Sequence, residues 1–283
     1  MNKRIYIPTI LLLVALLVSG CGFQIVSGSG KVAAETRNVS NFSSIRLAGI
    51  GDVIVTQGKN ISVRIEAEDN LIPYFETTVQ GNTLNIGMKN EYTGVSLHPT
   101  QPIKFYVTTP EIDAVTLAGS GNIITSDVKT GDFKITLLGS GNISNDSLTA
   151  ANVDINLSGS GDITLGTVSA SEVTANIAGS GNIRLDTLTA DKISSKTAGS
   201  GNLTISGKVT DQSAEILGSG DYRARDLKSD TAIVRVTGSG NCQVSVTKTL
   251  NVTVLGSGDV VYSGNPTVNA SVAGSGNVNH SGE

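Results

Sequence analysis

Polar side chains recur in this chain at intervals that invite a metal. Asn122, Asn142, Asp162, Asn182, Asn202, Asp221, Asn241, Asp259 and Asn277 follow one another every 18 to 20 residues. If each interval is one turn of a stack, the column aligns at about 4.8 Å per turn, and stacked carboxylates there could share a cation. The column never places two Asp in succession, which is what mutual repulsion at that spacing would enforce without an ion. It also lacks the nonapeptide spacing of Ca²⁺-binding β-rolls. It therefore reads as a hydrogen-bonded ladder, and neither a metal nor a cofactor is expected. Other chemistry is sparse. The two histidines, His98 and His280, cannot build a Ser-His-Asp or Cys-His constellation. The many serines between glycines are turn residues, because a nucleophile elbow needs Gly-x-Ser-x-Gly between a strand and a helix. No helix follows any glycine pair, so there is no dinucleotide fingerprint. Cys242 falls on an apolar position and reads as a small buried hydrophobe. The chain's other cysteine is Cys21, so no disulfide framework exists.

The elements that must position these residues follow from Gly-Ser-Gly-[Asn/Asp], written nine times from Gly119, Gly139, Gly159, Gly179, Gly199, Gly218, Gly238, Gly256 and Gly274. Around each turn apolar and polar residues alternate, as in Val153, Ile155, Leu157 before Gly159 and Ile163, Leu165 after it, which reads as strands with one buried face. Two before the first Gly stand Leu117, Leu137, Leu157, Ile177, Thr197, Ile216, Val236, Val254 and Val272, an apolar column that only Thr197 breaks. The glycines are expected to take positive φ and to turn the chain sharply, with Asn or Asp tolerating similar conformations. A second corner is expected mid-unit, at polar runs such as residues 148–152. A half-unit of about ten residues is too short for a crossover helix. The fold expected is all-β: a parallel β-helix-like solenoid with coils of about 18–20 residues, nine of which make a rod of about 40 Å. A single domain is expected over residues 31–283, with irregular N-terminal coils and a cap over 31–118 and regular repeats over 119–283.

Residues 1–20 read as an export signal. Lys3 and Arg4 precede a short apolar run that contains Pro8 and is too short to span a bilayer. Val18-Ser19-Gly20-Cys21 resembles the bacterial lipobox, which implies cleavage before Cys21, acylation of Cys21, and a tether over residues 21–30. Multiple acyl chains anchor stably. Gly22 follows the cysteine where an inner-membrane retention Asp could stand, so in a Gram-negative cell the outer membrane is expected. With 20 basic and 24 acidic residues the chain is net acidic, and it loses two of the basic ones with the signal. That disfavours nucleic acid as a partner.

Beyond the repeat, Gly28-Ser29-Gly30-Lys31, Arg37-Asn38-Val39-Ser40-Asn41-Phe42-Ser43-Ser44-Ile45, Gly49-Ile50-Gly51-Asp52-Val53, Glu68-Asp69-Asn70-Leu71 and Gly81-Asn82-Thr83-Leu84-Asn85-Ile86 occur in that order. Together with the Gly-Ser-Gly-Asn series they resemble the bacterial auto-transporter adhesin head domain, or GIN domain, family over roughly residues 31–283. The resemblance implies a β-helix-like fold on exported, often lipid-anchored proteins and brings no catalytic residues.

Residues 66–111 interrupt the repeat between Gly49 and Gly119 and hold four of the six prolines with several aromatics. They read as a cap over the first coil, and also as the place for binding, with Tyr92, His98 and Tyr106 as candidate contacts. Arg223, Arg225 and Arg235, in neighbouring coils, read as solvent-facing charges balanced by Asp221, Asp226 and Asp230. The function expected is a non-enzymatic envelope lipoprotein that presents an adhesin-like solenoid to a protein or polysaccharide ligand. The alternative is a carbohydrate-active β-helix enzyme, which would want aromatic platforms in a chain without Trp. Self-association through an exposed strand edge is a further expectation, since the last unit stops mid-coil.

Overall fold

The computed structural model describes residues 24–282, so the expected signal peptide and Cys21 lie outside the described residues. Strands dominate, joined by bends and two short 3-10 turns. From Ala114 onward the chain winds without interruption as a parallel β-solenoid. Ile163–Ile177 lies on Ile183–Thr197 in the register Ile163↔Ile183, Val168↔Leu188, Ile177↔Thr197. Some later coils are shorter, with Leu203↔Tyr222 and Cys242↔Val260 as partners, while Tyr222↔Cys242 keeps the full spacing.

Alternation decides what is inside. In one coil Ile163, Leu165, Val168, Val173, Ala175 and Ile177 are all buried. The alternation slips at Gly166-Thr167 and at Ser171-Glu172, where two successive residues face away from the core. With the Gly-Ser-Gly turn, those slips divide a coil into three short faces, one corner more than the sequence alone suggests. Ile123, Ile143, Ile163, Ile183, Leu203, Tyr222, Cys242 and Val260 stack into one buried column. In the neighbouring column Thr197 is buried like the aliphatic residues above and below it.

The turn glycines are needed for a different reason from the one expected. None of the nine Gly-Ser-Gly turns contains a positive-φ residue, and no non-glycine residue among those described has positive φ. What excludes a side chain is the coil beneath. A Cβ on Gly159 would lie 1.9 Å from the Gly139 carbonyl oxygen, and one on Gly161 would lie 1.8 Å from that of Gly141. This closeness brings the Ser160 N–H to the Gly139 carbonyl (3.1 Å) and the Ser180 N–H to that of Gly159 (3.1 Å). The turn is thus hydrogen-bonded through the stack, as the strands are.

The first solenoid turn is Gly49-Ile50-Gly51, stacked under Gly119, whose Cβ would meet the Gly49 oxygen at 1.9 Å. Its strands Ser44–Ala48 and Asp52–Gln57 pair with Ala114–Leu117 and Asn122–Lys129. The intervening chain leaves the solenoid and returns beneath it. Thr83–Met88 pairs with Ser44–Ala48 and Lys104–Thr109 with Asp52–Gln57, both parallel. Antiparallel strands then close each side: Phe75–Gln80 against Thr83–Met88, and Ser62–Glu68 against Lys104–Thr109 with Val32–Arg37 outermost. Phe75 and Phe105 pack edge to face beneath the first coil, with centroids 5.6 Å apart. Much of residues 66–111 is therefore the layer that covers the solenoid's first edge. The expected tether is corrected in the same region. From Gln24 it belongs to the fold, because Gln24–Ser27 pairs in parallel with Val95–His98.

The close approach of coils generates a paired test. Gly161→Ala should lower stability by several kcal/mol in chemical unfolding, because its Cβ meets backbone that cannot yield without parting two coils. Gly131→Ala, with nothing within 4 Å of its Cβ, should be neutral or stabilising by up to about 1 kcal/mol. Equal losses from the two would refute the packing argument.

Candidate functional site

The Asn/Asp column forms a continuous hydrogen-bonded ladder. Each side-chain oxygen accepts the backbone N–H of the equivalent residue one coil on: Asn142 donates to Asn122 (3.0 Å), Asp162 to Asn142 (2.9 Å) and Asn182 to Asp162 (2.8 Å). The series continues to Asn277 on Asp259 (2.8 Å). Wherever an Asp stands, the next coil supplies an Asn whose amide donates to the same carboxylate: Asn122 to Asp52 (2.7 Å), Asn182 to Asp162 (3.0 Å), Asn241 to Asp221 (3.3 Å) and Asn277 to Asp259 (3.3 Å). One oxygen of each carboxylate, Oδ1, is thereby engaged by a neutral amide from the next coil. Among the described residues no group of three or more His, Cys, Asp or Glu is placed to hold a metal.

A second polar cluster fastens the N-terminal segment. Glu68 is buried and accepts from the Gly30 N–H (2.6 Å), the Thr100 N–H (2.8 Å), the Thr100 hydroxyl (2.6 Å) and the Gln101 N–H (3.3 Å). Asp69 accepts from the Ser29 hydroxyl (2.6 Å). Asn70 accepts from the Ser29 N–H (2.9 Å) and donates to the Ser27 carbonyl (2.8 Å). The Thr100 hydroxyl bond, aided by the backbone donors and opposed by burial, holds the Glu68 carboxyl below its ordinary value. The Ser29 hydroxyl does the same for Asp69. Sequence reading quoted both segments, Gly28-Ser29-Gly30-Lys31 and Glu68-Asp69-Asn70, without joining them. The signal was there: a carboxylate flanked by polar residues, and a glycine pair able to offer bare N–H groups.

The candidate contacts Tyr92, His98 and Tyr106 occupy three separate settings. Tyr92 ends the 3-10 turn Asn90–Tyr92 and packs on Tyr74, with centroids 4.5 Å apart. Neighbouring Glu91 raises its phenol above the ordinary value. His98 ends Val95–His98, and its carbonyl accepts the Gly28 N–H (3.0 Å). Tyr106, on Lys104–Thr109, lies under the Arg64 guanidinium at 4.3 Å. No hydrogen bond, ring contact or cation contact among the described residues joins any two of the three. Of the arginines, Arg223 pairs with Asp221 (3.0 Å), Arg225 is exposed, and Arg235 lies beside Glu215 in register. Asp230 pairs with Lys248 instead (2.9 Å).

Inside the rod, the Tyr222 hydroxyl donates to Gln212 Oε1 (3.1 Å), and Gln212 Nε2 donates to Ser229 Oγ (2.6 Å). Burial pushes up both the Tyr222 phenol and the Cys242 thiol, so Cys242 is an inert hydrophobe in the column. A cleft of about 570 Å³ is lined by Asp113, Asp132, Lys134 and Asp154 among others. Its carboxylates already have partners: Asp132 accepts from Asn152 (2.7 Å), Asp154 faces Lys134 (3.8 Å) and Asp113 accepts from Ser43.

Two predictions follow from the ladder and the clamp. Asn182→Asp sets a second carboxylate on Asp162 and removes an amide donor, so it should destabilise by about 1 kcal/mol at low salt. The loss should shrink at high ionic strength, which unfolding at two salt concentrations measures. A lowered carboxyl contributes stability above its ordinary value near 4.5 that is lost as pH falls through the folded-state value. Glu68→Gln should therefore speed hydrogen exchange of residues 24–31 at least about tenfold at pH 7. The wild type should show the same release only on acidification below the ordinary carboxyl range. Unchanged exchange in the variant would remove the clamp.

Comparison with known proteins places this geometry. The family model described as "Putative auto-transporter adhesin, head GIN domain" matches residues 41–175 and 166–266. Among solved structures, a putative adhesin from Parabacteroides distasonis is 24% identical with a TM-score of 0.70, covering 91% of this chain and 100% of its own. A putative adhesin from Parabacteroides merdae is 21% identical with a TM-score of 0.69, covering 91% and 99%. A putative lipid binding protein from Parabacteroides distasonis is 24% identical with a TM-score of 0.66, covering 91% and 99%. At these identities the likeness is one of fold. A comparison with curated proteins finds no match.

Proposed function

The chain belongs to the head GIN domain family of auto-transporter adhesins, and from that premise we propose that it is a lipid-anchored envelope protein whose rod displays an adhesive end away from the membrane. The observation that carries this reading is the clamped N-terminal strand. Only Gly22 and Phe23 separate Cys21 from Gln24, the first residue of Gln24–Ser27. Those links span at most about 11 Å. With Cys21 acylated, the capped end of the solenoid sits at the membrane, in the outer membrane of a Gram-negative cell, and the repeats project outward. Tyr92, His98 and Tyr106 then lie at the base, where a ligand reaches them only from the side. Presentation of a protein or polysaccharide ligand falls to the outer coils. The alternative, a carbohydrate-active enzyme, finds its best acidic cleft at Asp113, Asp132 and Asp154. Those carboxylates are engaged by Ser43, Asn152 and Lys134, which favours the non-enzymatic reading.

Cys21→Ala should abolish metabolic labelling by palmitate and move the protein from the membrane fraction to the soluble one. Retention of label with continued membrane association in the variant would overturn the anchoring.

A further inference from the structure

The two ends of the rod finish differently. At the base the parallel faces are closed by antiparallel strands that carry charge: Glu35 and Arg37 on Val32–Arg37, and Glu76 on Phe75–Gln80. Charge of this kind guards an edge against unwanted pairing. At the far end Thr267–Val272 pairs with Thr249–Val254 and, among the described residues, with no strand on its other side. The Ala273 N–H donates back to the Val254 carbonyl (2.9 Å). By alternation, the N–H and C=O groups of Val268, Ala270 and Val272 point to the open edge. Val272 is 47% exposed, where its equivalent Val254 is 0% exposed. No Asp, Glu, Lys or Arg occurs between Asp259 and Glu283, so neither Thr267–Val272 nor Val278–His280 carries one.

The open end is also stepped. Across the Gly274-Ser275-Gly276 corner the stack rises one strand further, because Val278–His280 pairs with Val260–Tyr262. Thr267–Val272 runs toward that corner and Val278–His280 runs away from it. A second copy, turned about a two-fold axis along the corner's bisector, therefore sets its raised side over the lower side of the first. The two strands that meet then run antiparallel. We propose that the far end binds a second copy of this chain, end to end, by antiparallel pairing of Thr267–Val272 in each copy with Val278–His280 in the other.

Three features favour a second copy as the occupant. The steps are self-complementary under that axis, and the neutral edges bring no like charges together. The two-fold arrangement also closes after two copies, whereas head-to-tail stacking would set the neutral edge against the charged strands of the base. The arrangement leaves the two bases at opposite ends. With the bases anchored as proposed above, the pair joins two facing membranes, so the adhesion is homophilic. That orientation rests on the anchoring reading. The pairing does not.

The test uses residues 22–283 without lipid, which carry the whole continuous core, in sedimentation velocity over a concentration series. The wild type should dimerise. Ala270→Lys, on an exposed edge residue, should raise the dissociation constant at least about tenfold while the far-UV spectrum is retained. Ala270→Pro removes an N–H that has no partner among the described residues and should do the same. Ser169→Lys, outward-facing in mid-rod, should leave the dimer intact. Beads coupled through the N-terminus should cluster with wild-type protein and stay dispersed with Ala270→Lys. A wild type that stays monomeric to about 100 µM overturns the proposal, as does a dimer indifferent to both Ala270 variants. Loss of palmitate dependence with pairing intact would remove only the anchoring, so the two readings fail separately.

Discussion

Everything in the rod depends on how closely one coil's backbone lies on the next at the Gly-Ser-Gly edge. With carbonyl oxygens less than 2 Å from where a Cβ of Gly159 or Gly161 would stand, any side chain there would wedge the coils apart. The strands of the other faces would then lose the spacing at which their amides and carbonyls meet. The same closeness sets the Asn/Asp ladder, because a side-chain oxygen reaches the next backbone N–H only when the coils stack in register. Edge, ladder and buried columns are thus one constraint expressed at three radii. Each coil enforces it only on its neighbours.

That constraint tolerates change elsewhere in the coil. Between Thr204 and Gly207 the pairing slips and the coil shortens, with Gly207 at φ +126° and its missing Cβ 2.1 Å from the Leu188 carbonyl. The buried Gln212, Tyr222 and Ser229 link up in the same stretch of the rod. Irregularity is absorbed at a corner while the Asn202, Asp221 and Asn241 links pass through it unbroken. A polar core is stable there because its hydroxyls and amide find each other.

The period, the solenoid and the two buried columns were legible because each is written many times over, so that one exception such as Thr197 does not hide the rule. The Asn/Asp ladder was legible for the same reason, including why its acids stand apart. The role of the turn glycines was misread. A sequence shows that only glycine is accepted, and positive φ and close packing both produce that selection. The cap's strand pairing was not legible, since it joins segments such as Ser62–Glu68 and Lys104–Thr109 that are written once and far apart. The Glu68 clamp escaped for a related reason: its donors are backbone N–H groups at Gly30 and Thr100, which leave no side-chain signature. Tyr92 and Tyr106 read as candidate contacts in an irregular segment, and their packing on Tyr74 and under Arg64 was not legible because those partners are distant in the chain or unmarked by any repeat.

A stack whose members touch only their neighbours can gain or lose a coil without disturbing either end. Neither the clamped strand at the base nor the stepped edge at the tip touches the middle coils, so the distance between them is set by coil number alone. Duplication of one 20-residue segment would lengthen the molecule by about 4.8 Å and leave the clamped base and the stepped tip unchanged. Reach in this architecture is therefore inherited as an integer, counted in whole coils.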